Sequence, residues 1–266
     1  MKPTVLSLGA FLALSAASPG ALVGHWTFEP GDELVDLTGN FPNLSLQGNA
    51  TVSGGVLDVN GSGTTASGWA YTTGGSYSGP NLTNKTLVSW VTVQSPSSVT
   101  VAGSALTLDR VGSDQFDGII FAEREANRWM NGSNGFSRTP DNGFVDGVET
   151  ETSGTVMVQM AISYQDLGAG NVRITGYRNG VQIGQYDDNP LGTWSTGDAE
   201  VIFGKRHGNP APTGPGALDA LIHEARIYDE VLDGSQLSGL TLVPEPSAPL
   251  LGLLASGLLL LRRRRA

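Results

Sequence analysis

Closely spaced carboxylates are the residues of this chain that most directly suggest chemistry. Hydrolysis of a glycosidic bond needs two carboxyl groups across a sugar-sized gap, and alternate residues of one strand can present them to a single cleft. The nearest strings are Glu123-Arg124-Glu125 and Glu149-Thr150-Glu151. Neither has a third acid or apolar residues in alternation, and both are typical of turns or sheet edges. The sequence therefore disfavours glycoside hydrolysis, which is kept as an alternative.

Other catalytic patterns are missing from the sequence. His25, His207 and His223 are far apart, and their spacing is not that of a zinc site. The Gly-x-Ser-x-Gly elbow of esterases does not occur, and the chain has no Cys. The glycine-rich segments 61–68 and 74–79 lack the following Lys and helix of a phosphate-binding loop. We expect no catalytic residues, and we interpret these glycines as loop residues.

Aromatic side chains in or beside polar loops are the residues that could bind a ligand, because aromatic rings stack on the faces of sugars. The candidates for ligand binding are Trp69, Tyr71, Trp129 and Trp194. The alternative for each ring is that it packs a loop onto the protein core. Trp26 and Trp90 alternate with polar residues, and this pattern predicts that both belong to the core.

Composition and charge limit the classes of partner. The chain has 37 Gly, 14 Pro and only 15% charged residues, which is typical of an exported β protein. Residues 22–242 hold 24 of its 25 acidic and 10 of its 15 basic side chains, a net charge of −14. Such an acidic domain disfavours binding to nucleic acid or anionic lipid and favours divalent cations or neutral polymers.

The residues that could do chemistry must be positioned by short β-strands, because β runs separated by Gly, Asn, Pro and Ser fill residues 22–242. Asn179-Gly180 predicts a tight hairpin, since both turn positions need a positive φ. A single short helical turn is predicted at 233–240. The pattern predicts an all-β fold, a sandwich of two antiparallel sheets. The predicted strands are 23–29, 44–47, 56–59, 86–94, 105–109, 118–122, 128–130, 156–164, 172–177, 181–186, 201–203 and 218–228.

The first 21 residues have the layout of a secretory signal peptide. Lys2 precedes an apolar stretch at 5–14, and small residues suited to cleavage follow at 15–18. We therefore expect residues 1–21 to direct export.

The last 24 residues, 243–266, are also typical of a targeting segment. Pro244-Glu245-Pro246 precedes an uncharged run of 14 residues at 248–261, and Arg262, Arg263, Arg264 and Arg265 follow. As a helix the run would span about 21 Å, less than the roughly 30 Å of a bilayer core. This order resembles the PEP-CTERM sorting signal, which implies processing by an exosortase-type enzyme. It also implies a transient stay in the inner membrane and release to the cell surface or extracellular matrix.

The order of the strands between these segments resembles the LamG-like jelly-roll domain of the concanavalin A-like superfamily. The resemblance covers nearly all of residues 22–242. Most members of that family bind glycans or proteins, so it implies a binding module on a jelly-roll sandwich. The landmarks are the strings 24–29, 54–59, 87–93, 160–164, 177–180 and 222–228.

The same resemblance implies a calcium ion near the sheet edge. Glu29 and Asp36 match two of the family's acidic ligand positions. The third position departs from the family pattern, because the usual Ile-Asp-Glu is Ile222-His223-Glu224 here, and imidazole is a poor ligand for calcium. Calcium, with Glu29 and Asp36 as ligands, is the one cofactor that the resemblance implies.

These observations predict an exported, non-catalytic protein of the cell surface or matrix. Its expected partner is a polysaccharide or a matrix protein, bound through loops at one edge of the sandwich, and no nucleic acid. Two alternatives stay open. One is a carbohydrate-active enzyme, a glycoside hydrolase or lyase of the same superfold, and the other is a purely structural matrix protein.

Overall fold

The computed structural model describes residues 21–59, 68–72, 75–96, 103–113, 115–144, 151–208 and 216–243. The predicted signal peptide, apart from Ala21, lies outside these residues, and so does the predicted sorting signal after Val243, with Pro244, Glu245, Pro246 and the arginines 262–265. Within the described residues, no helix has the length and apolar character needed to cross a membrane.

The described chain forms fourteen strands and one short α-helix, with a 3-10 turn at Asn134–Phe136. The strands are β1 Leu22–Trp26, β2 Leu44–Gln47, β3 Thr51–Ser53, β4 Val56–Asp58, β5 Trp69–Thr72, β6 Lys85–Val93, β7 Gly103–Arg110, β8 Phe116–Phe121, β9 Trp129–Ser133, β10 Val158–Gly168, β11 Asn171–Arg178, β12 Val181–Asp188, β13 Ala199–Phe203 and β14 Ala220–Tyr228, and the helix is α1 Gly234–Ser238.

These strands form two antiparallel sheets that pack face to face, which confirms the predicted two-sheet sandwich. Sheet A has the order β12-β11-β10-β6-β14-β4-β3, with β1 also paired to β14. Sheet B has the order β2-β5-β13-β7-β8-β9. Strand β6 is buried along its whole length at the centre of sheet A, as its β-branched sequence predicts.

The main core lies between the sheets and takes alternate residues from each strand. Val158, Met160, Ile162 and Tyr164 of β10 face it, as the alternation predicts. Val156, predicted on the same face, lies before the strand and is 48% exposed. The prediction for Val156 was wrong because β10 begins two residues later than expected.

A second apolar cluster covers the outer face of sheet A. Trp90 belongs to this cluster and not to the main core, because its neighbours on β6 alternate between the two faces. The helix α1 and the segment that follows it pack on this face. Its members are Val88, Trp90, Ala161, Tyr177, Tyr228, Leu232 and Leu237, with Leu22, Leu240 and Leu242 beside them.

Two further predictions from the sequence need correction. The first strand ends at Trp26, because Phe28 has a φ of 59° and leaves the extended conformation. Residues 69–72, predicted as loop, form β5 between β2 and β13. The hairpin and the helical turn are confirmed: Asn179 and Gly180 have φ of 52° and 74°, and α1 has a capping box at Asp233.

Candidate functional site

Three charged side chains meet in the space between the two sheets. Lys85 begins β6, Asp117 lies on β8, and Arg138 follows β9. Asp117 is paired with the core residue Leu108, so its carboxylate faces inward. The side chains of Lys85 and Asp117 are 0% exposed, and that of Arg138 is 2% exposed. A buried charge is costly unless it is paired, and this cluster pairs one carboxylate with two cations.

The Lys85 ammonium group is fully enclosed. Its Nζ lies 2.9 Å from Asp117 Oδ2 and donates to the Gly192 carbonyl oxygen at 3.1 Å. It also lies 4.6 Å from the centre of the Tyr164 ring and 4.4 Å from that of Trp194, as cation–π contacts. Burial lowers the pKa of Lys85 to about 8, although Asp117 acts in the opposite direction.

Arg138 is held at both its side chain and its backbone. Its Nη2 lies 2.7 Å from Asp117 Oδ1. Its backbone N–H donates to Ser133 Oγ at 2.8 Å, and its carbonyl oxygen accepts bonds from Asn131 Nδ2 at 3.0 Å and Tyr186 Oη at 2.7 Å. The guanidinium group therefore has a fixed position at the end of the sandwich.

A cavity of about 380 Å³ opens at this end of the sandwich, and Arg138 is part of its wall. Its walls come from the β7–β8 turn, the segment after β9 and the connection from β12 to β13. Most of the lining residues have polar side chains, and Pro190 and Leu191 are apolar. The volume lies in the range of small-ligand sites, about 300–1,000 Å³. The lining residues are Arg110, Gln115, Asn134, Ser137, Arg138, Pro190, Leu191 and Thr193.

The charged residues that line the cavity are both arginines. Arg110 and Arg138 line it, and none of its described lining residues is an Asp or a Glu. Arg110 Nη2 donates to the Thr193 carbonyl oxygen, and its Nε lies 3.8 Å from Asp198 Oδ2. We therefore take this cavity as the candidate site. The sequence did not indicate this cavity, because its residues come from three separate connections. The one local signal nearby is a single charged residue, Lys85 or Asp117, in a strand that is otherwise uncharged.

A pair of carboxyl groups lies elsewhere, on the outer face of sheet B. Asp109 of β7 and Glu200 of β13 are directly opposite across the two strands, and both are buried. Burial raises the pKa of Glu200, and its contact with Asp109 acts in the opposite direction. The Gly208 N–H donates to Asp109 Oδ2 at 3.0 Å, so residues 205–208 cover the pair. No local spacing in the sequence could show these two residues together.

The predicted sugar-stacking rings are mostly enclosed. Trp194 is 0% and Trp129 is 3% exposed, so neither offers an open face to a sugar, and both follow the alternative of packing onto the sandwich. Trp69 is buried, stacks on Tyr71 with ring centres 4.9 Å apart, and lies under Lys205. Tyr71 is partly exposed on the outer face of sheet B. Of the four rings, only Tyr71 still has surface available to a ligand.

The predicted calcium ligand Asp36 organises a loop. Its Oδ1 accepts the backbone N–H groups of His25 at 2.8 Å and Thr38 at 3.0 Å. Its Oδ2 accepts those of Asn40 at 3.0 Å and Phe41 at 2.9 Å, and the Thr38 hydroxyl donates to both oxygens. A carboxylate has about four lone-pair positions, so these donors occupy it.

The donor set near Asp36 is a poor fit for calcium, which takes six to eight oxygen ligands. The backbone carbonyl oxygen of Glu29 accepts the Asp32 N–H at 2.9 Å. No group of three or more Asp, Glu or His able to hold a metal occurs within the described ranges. The calcium site of Glu29 and Asp36 stays a prediction, to be tested by thermal melts with millimolar calcium and with a chelator.

Glu224, next to His223 at the departure from the calcium pattern, joins the two ends of the described chain. Its Oε1 lies 2.7 Å from His25 Nε2 and accepts Arg226 Nε at 2.6 Å, and its Oε2 accepts the Val243 N–H at 2.8 Å. Arg226 also donates to the Thr241 carbonyl oxygen at 2.6 Å. Burial alone would raise the pKa of Glu224, but the bonds from His25, Val243 and Arg226 together hold it below its ordinary value.

Most of the remaining described residues that the sequence indicated have structural partners. Glu151 accepts Trp129 Nε1 at 3.0 Å and Arg178 Nε at 2.8 Å. Glu123 is ion-paired with Arg206, and Glu149 lies outside the described residues. His223 Nε2 lies 3.2 Å from Thr92 Oγ1, and His207 stacks on Phe116.

Comparisons with known proteins show the fold. No model of a protein family matches the chain, and no curated protein does. Among solved structures, domain 4 of AbnA, a GH43 extracellular arabinanase from Geobacillus stearothermophilus in complex with arabinotriose, is 18% identical with a TM-score of 0.53, and covers 83% of this chain and 98% of the domain. Trypanosoma rangeli sialidase is 15% identical with a TM-score of 0.56 over 83% of this chain.

A third similar structure is the binding domain of Botulinum neurotoxin DC in complex with SialylT, which is 12% identical with a TM-score of 0.53 over 82% of this chain. This chain spans 32% of the sialidase chain and 50% of the toxin chain. At these identities the similarity shows a shared two-sheet β-sandwich, and function has to be argued from the site.

Proposed function

We propose that this protein is an exported, non-catalytic carbohydrate-binding protein and that the cavity between Arg110 and Arg138 holds the saccharide. The observation that carries the proposal is the cavity itself, most of whose lining residues have hydrogen-bonding side chains and whose Arg138 is held in place by Asp117. Side-chain amides and hydroxyls of its lining suit sugar hydroxyls, and Pro190 and Leu191 offer a small apolar surface. The similar structures with arabinotriose and SialylT support the same class of ligand.

Blocking the cavity tests this proposal. Ser137 is exposed at the wall, so Ser137→Trp should fill the cavity without disturbing a buried contact. We expect the purified protein to bind members of a glycan array and the variant to lose that binding. Val181→Trp is the matched control, because Val181 is 68% exposed on the β11–β12 hairpin. If the Ser137→Trp variant still binds glycans, the saccharide site lies outside this cavity. If the unmodified protein binds no glycan, the alternative of a structural protein is favoured.

The place of action that we propose is the cell surface or extracellular matrix. The support comes from the sequence, because residues 1–21 are typical of a signal peptide and residues 243–266 resemble a PEP-CTERM signal for an exosortase-type enzyme. Fractionation of the native cells tests this part. We expect the protein in the surface or matrix fraction and expect deletion of residues 244–266 to change its distribution; intact chain in the cytosol would contradict export.

The alternative of a carbohydrate-active enzyme has one specific observation in its favour. Asp109 and Glu200 are opposite each other on neighbouring strands, and a carboxyl group with a raised pKa can act as a general acid. The cover by residues 205–208 favours a non-catalytic protein. Hydrolysis of a saccharide by the purified protein, abolished in Glu200→Gln, would establish the enzyme.

A further inference from the structure

We infer that the cavity selects saccharides that carry a carboxylate group, an inference that rests on the proposed carbohydrate-binding function. The first observation is at Arg138, whose Nε and Nη1 have no hydrogen-bond partner among the described residues. Arg138 as a whole is 1% exposed and lies in the cavity wall. Both nitrogen atoms are buried, and buried donors without partners destabilise the protein, so an anionic ligand oxygen that reached them from the cavity would remove that cost.

The position of Arg138 is fixed without a ligand. Nη2 donates to the Phe116 carbonyl oxygen at 3.2 Å and contacts Asp117. Three further hydrogen bonds hold its backbone N–H and carbonyl oxygen. Binding therefore requires little ordering of this side chain, and loss of side-chain freedom is one of the main costs of association.

A second guanidinium group lies on the same cavity. Arg110 is only 32% exposed at its side chain and is held by the Thr193 carbonyl oxygen. The planar guanidinium group presents parallel N–H donors that match the two oxygens of a carboxylate. Two arginines in one cavity therefore favour a carboxylate over a further hydroxyl group.

The wider charge distribution limits how many negative charges the ligand carries. Lys85 and Arg138 against Asp117 leave one net positive charge in the buried cluster, and Arg138 of this cluster lines the cavity. The rest of the domain is strongly acidic, since residues 22–242 have a net charge of −14. Such a surface repels a densely charged polyanion. The matching ligand is an isolated acidic residue in an otherwise neutral saccharide, such as a uronic or a sialic acid.

Matched pairs of sugars test the inference with the purified protein. Isothermal titration with glucuronic, galacturonic and N-acetylneuraminic acid, each beside its methyl ester, separates the carboxylate from the ring. We expect at least one acid to bind about tenfold or more tightly than its ester, as the loss of a charge-assisted hydrogen bond implies. Inorganic sulfate serves as a sugar-free anion.

Two variants connect this preference to the cavity. Arg110→Gln should weaken the acid by about tenfold and change the ester little. Arg138→Lys should also reduce the preference for the acid, because Lys lacks the planar pair of donors. If the Arg138→Lys variant does not fold, the result for Arg110→Gln alone tests whether the cavity carries the preference. Arg173→Gln is the matched control, since Arg173 pairs with the exposed Asp187 and does not line the cavity.

The outcomes separate the two proposals. Equal affinity for acid and ester, both lost in Ser137→Trp, would overturn the carboxylate preference and leave carbohydrate binding standing. Competition by sulfate as strong as by the acid would also overturn it, in favour of a general anion site. Binding of no acid, ester or neutral sugar would overturn both proposals.

Discussion

At the scale of single residues, Asp117 is the most constrained side chain of the charged cluster beside the candidate site. Among the described residues, it is the only carboxylate ion-paired with Lys85 or Arg138, and its two oxygens contact one of them each. Removing one partner of a buried ion pair leaves an uncompensated charge, which costs about 3–5 kcal/mol. Asp117→Asn should therefore lower the free energy of unfolding by about that amount, as measured by urea denaturation.

The matched variant is Lys85→Met, which keeps much of the side-chain volume and leaves Asp117 paired with Arg138. It should cost clearly less than Asp117→Asn. Equal losses for the two variants, or a stable Asp117→Asn, would show that the cluster does not act as a unit around Asp117.

Glu200 makes stability depend on pH. Its pKa is raised by burial, so the folded protein keeps a proton that the unfolded chain releases near its ordinary pKa of about 4.5. The contribution of Glu200 is therefore complete below about pH 4.5 and is lost as pH rises through the higher pKa of the folded state. We expect the melting-temperature difference between Glu200→Gln and the unmodified protein to grow in favour of the variant from pH 4 to pH 8.

An exposed carboxylate provides the opposite case. Asp187 is bonded to Arg173, which holds its pKa below the ordinary value, so Asp187→Asn should lose a small contribution that is present only at higher pH. A pH profile of Glu200→Gln that runs parallel to that of the unmodified protein would contradict the role assigned to Glu200.

At the scale of elements, the β11–β12 hairpin is joined to α1. Gly180 has a φ of +74°, and a Cβ there would lie 2.7 Å from the Ser238 Cβ and 3.0 Å from the Gly234 carbonyl oxygen. Gly180→Ala should therefore cost about 2–3 kcal/mol, from backbone strain together with displacement of the helix. Thermal or urea unfolding measures the loss.

Gly170 isolates the strain alone. It has a φ of +81° with no atom within 4 Å of a Cβ, so Gly170→Ala should cost about 1 kcal/mol. If both variants lose the same stability, the contact between the hairpin and α1 contributes nothing measurable.

The strands were predictable from the sequence where one face is apolar, and the charged cluster was not. The alternation in β10 and the Asn179-Gly180 turn place the core face and the hairpin correctly. Trp90 is buried as predicted, but in the outer cluster, because alternation gives a shared face and does not say which of two covered faces it is. Lys85, Asp117 and Arg138 come together only through strand order, which local patterns do not determine.

At the scale of the whole molecule, Glu224 connects the first strand, the last strand and the segment before Val243. Glu224→Gln would leave Arg226 without a carboxylate while it lies 4.8 Å above the Trp90 ring. We expect a loss of about 3 kcal/mol and a change in tryptophan fluorescence. Asp187→Asn, at an exposed pair, should cost clearly less in the same assay, and an equal cost would contradict the role of Glu224.

Val243 is held at a part of sheet A that lies away from the charged cluster. Thr241 is bonded to Arg226, opposite Val88 of β6, and Val243 is bonded to Glu224, opposite Trp90. The chain thus travels away from Lys85, which lies about 16 Å from Trp90 along the strand at the usual rise per residue. A tether attached at Val243 would therefore leave the sandwich beside Trp90, while Lys85, joined through Asp117 to the cavity residue Arg138, lies at the other end of the strand segment.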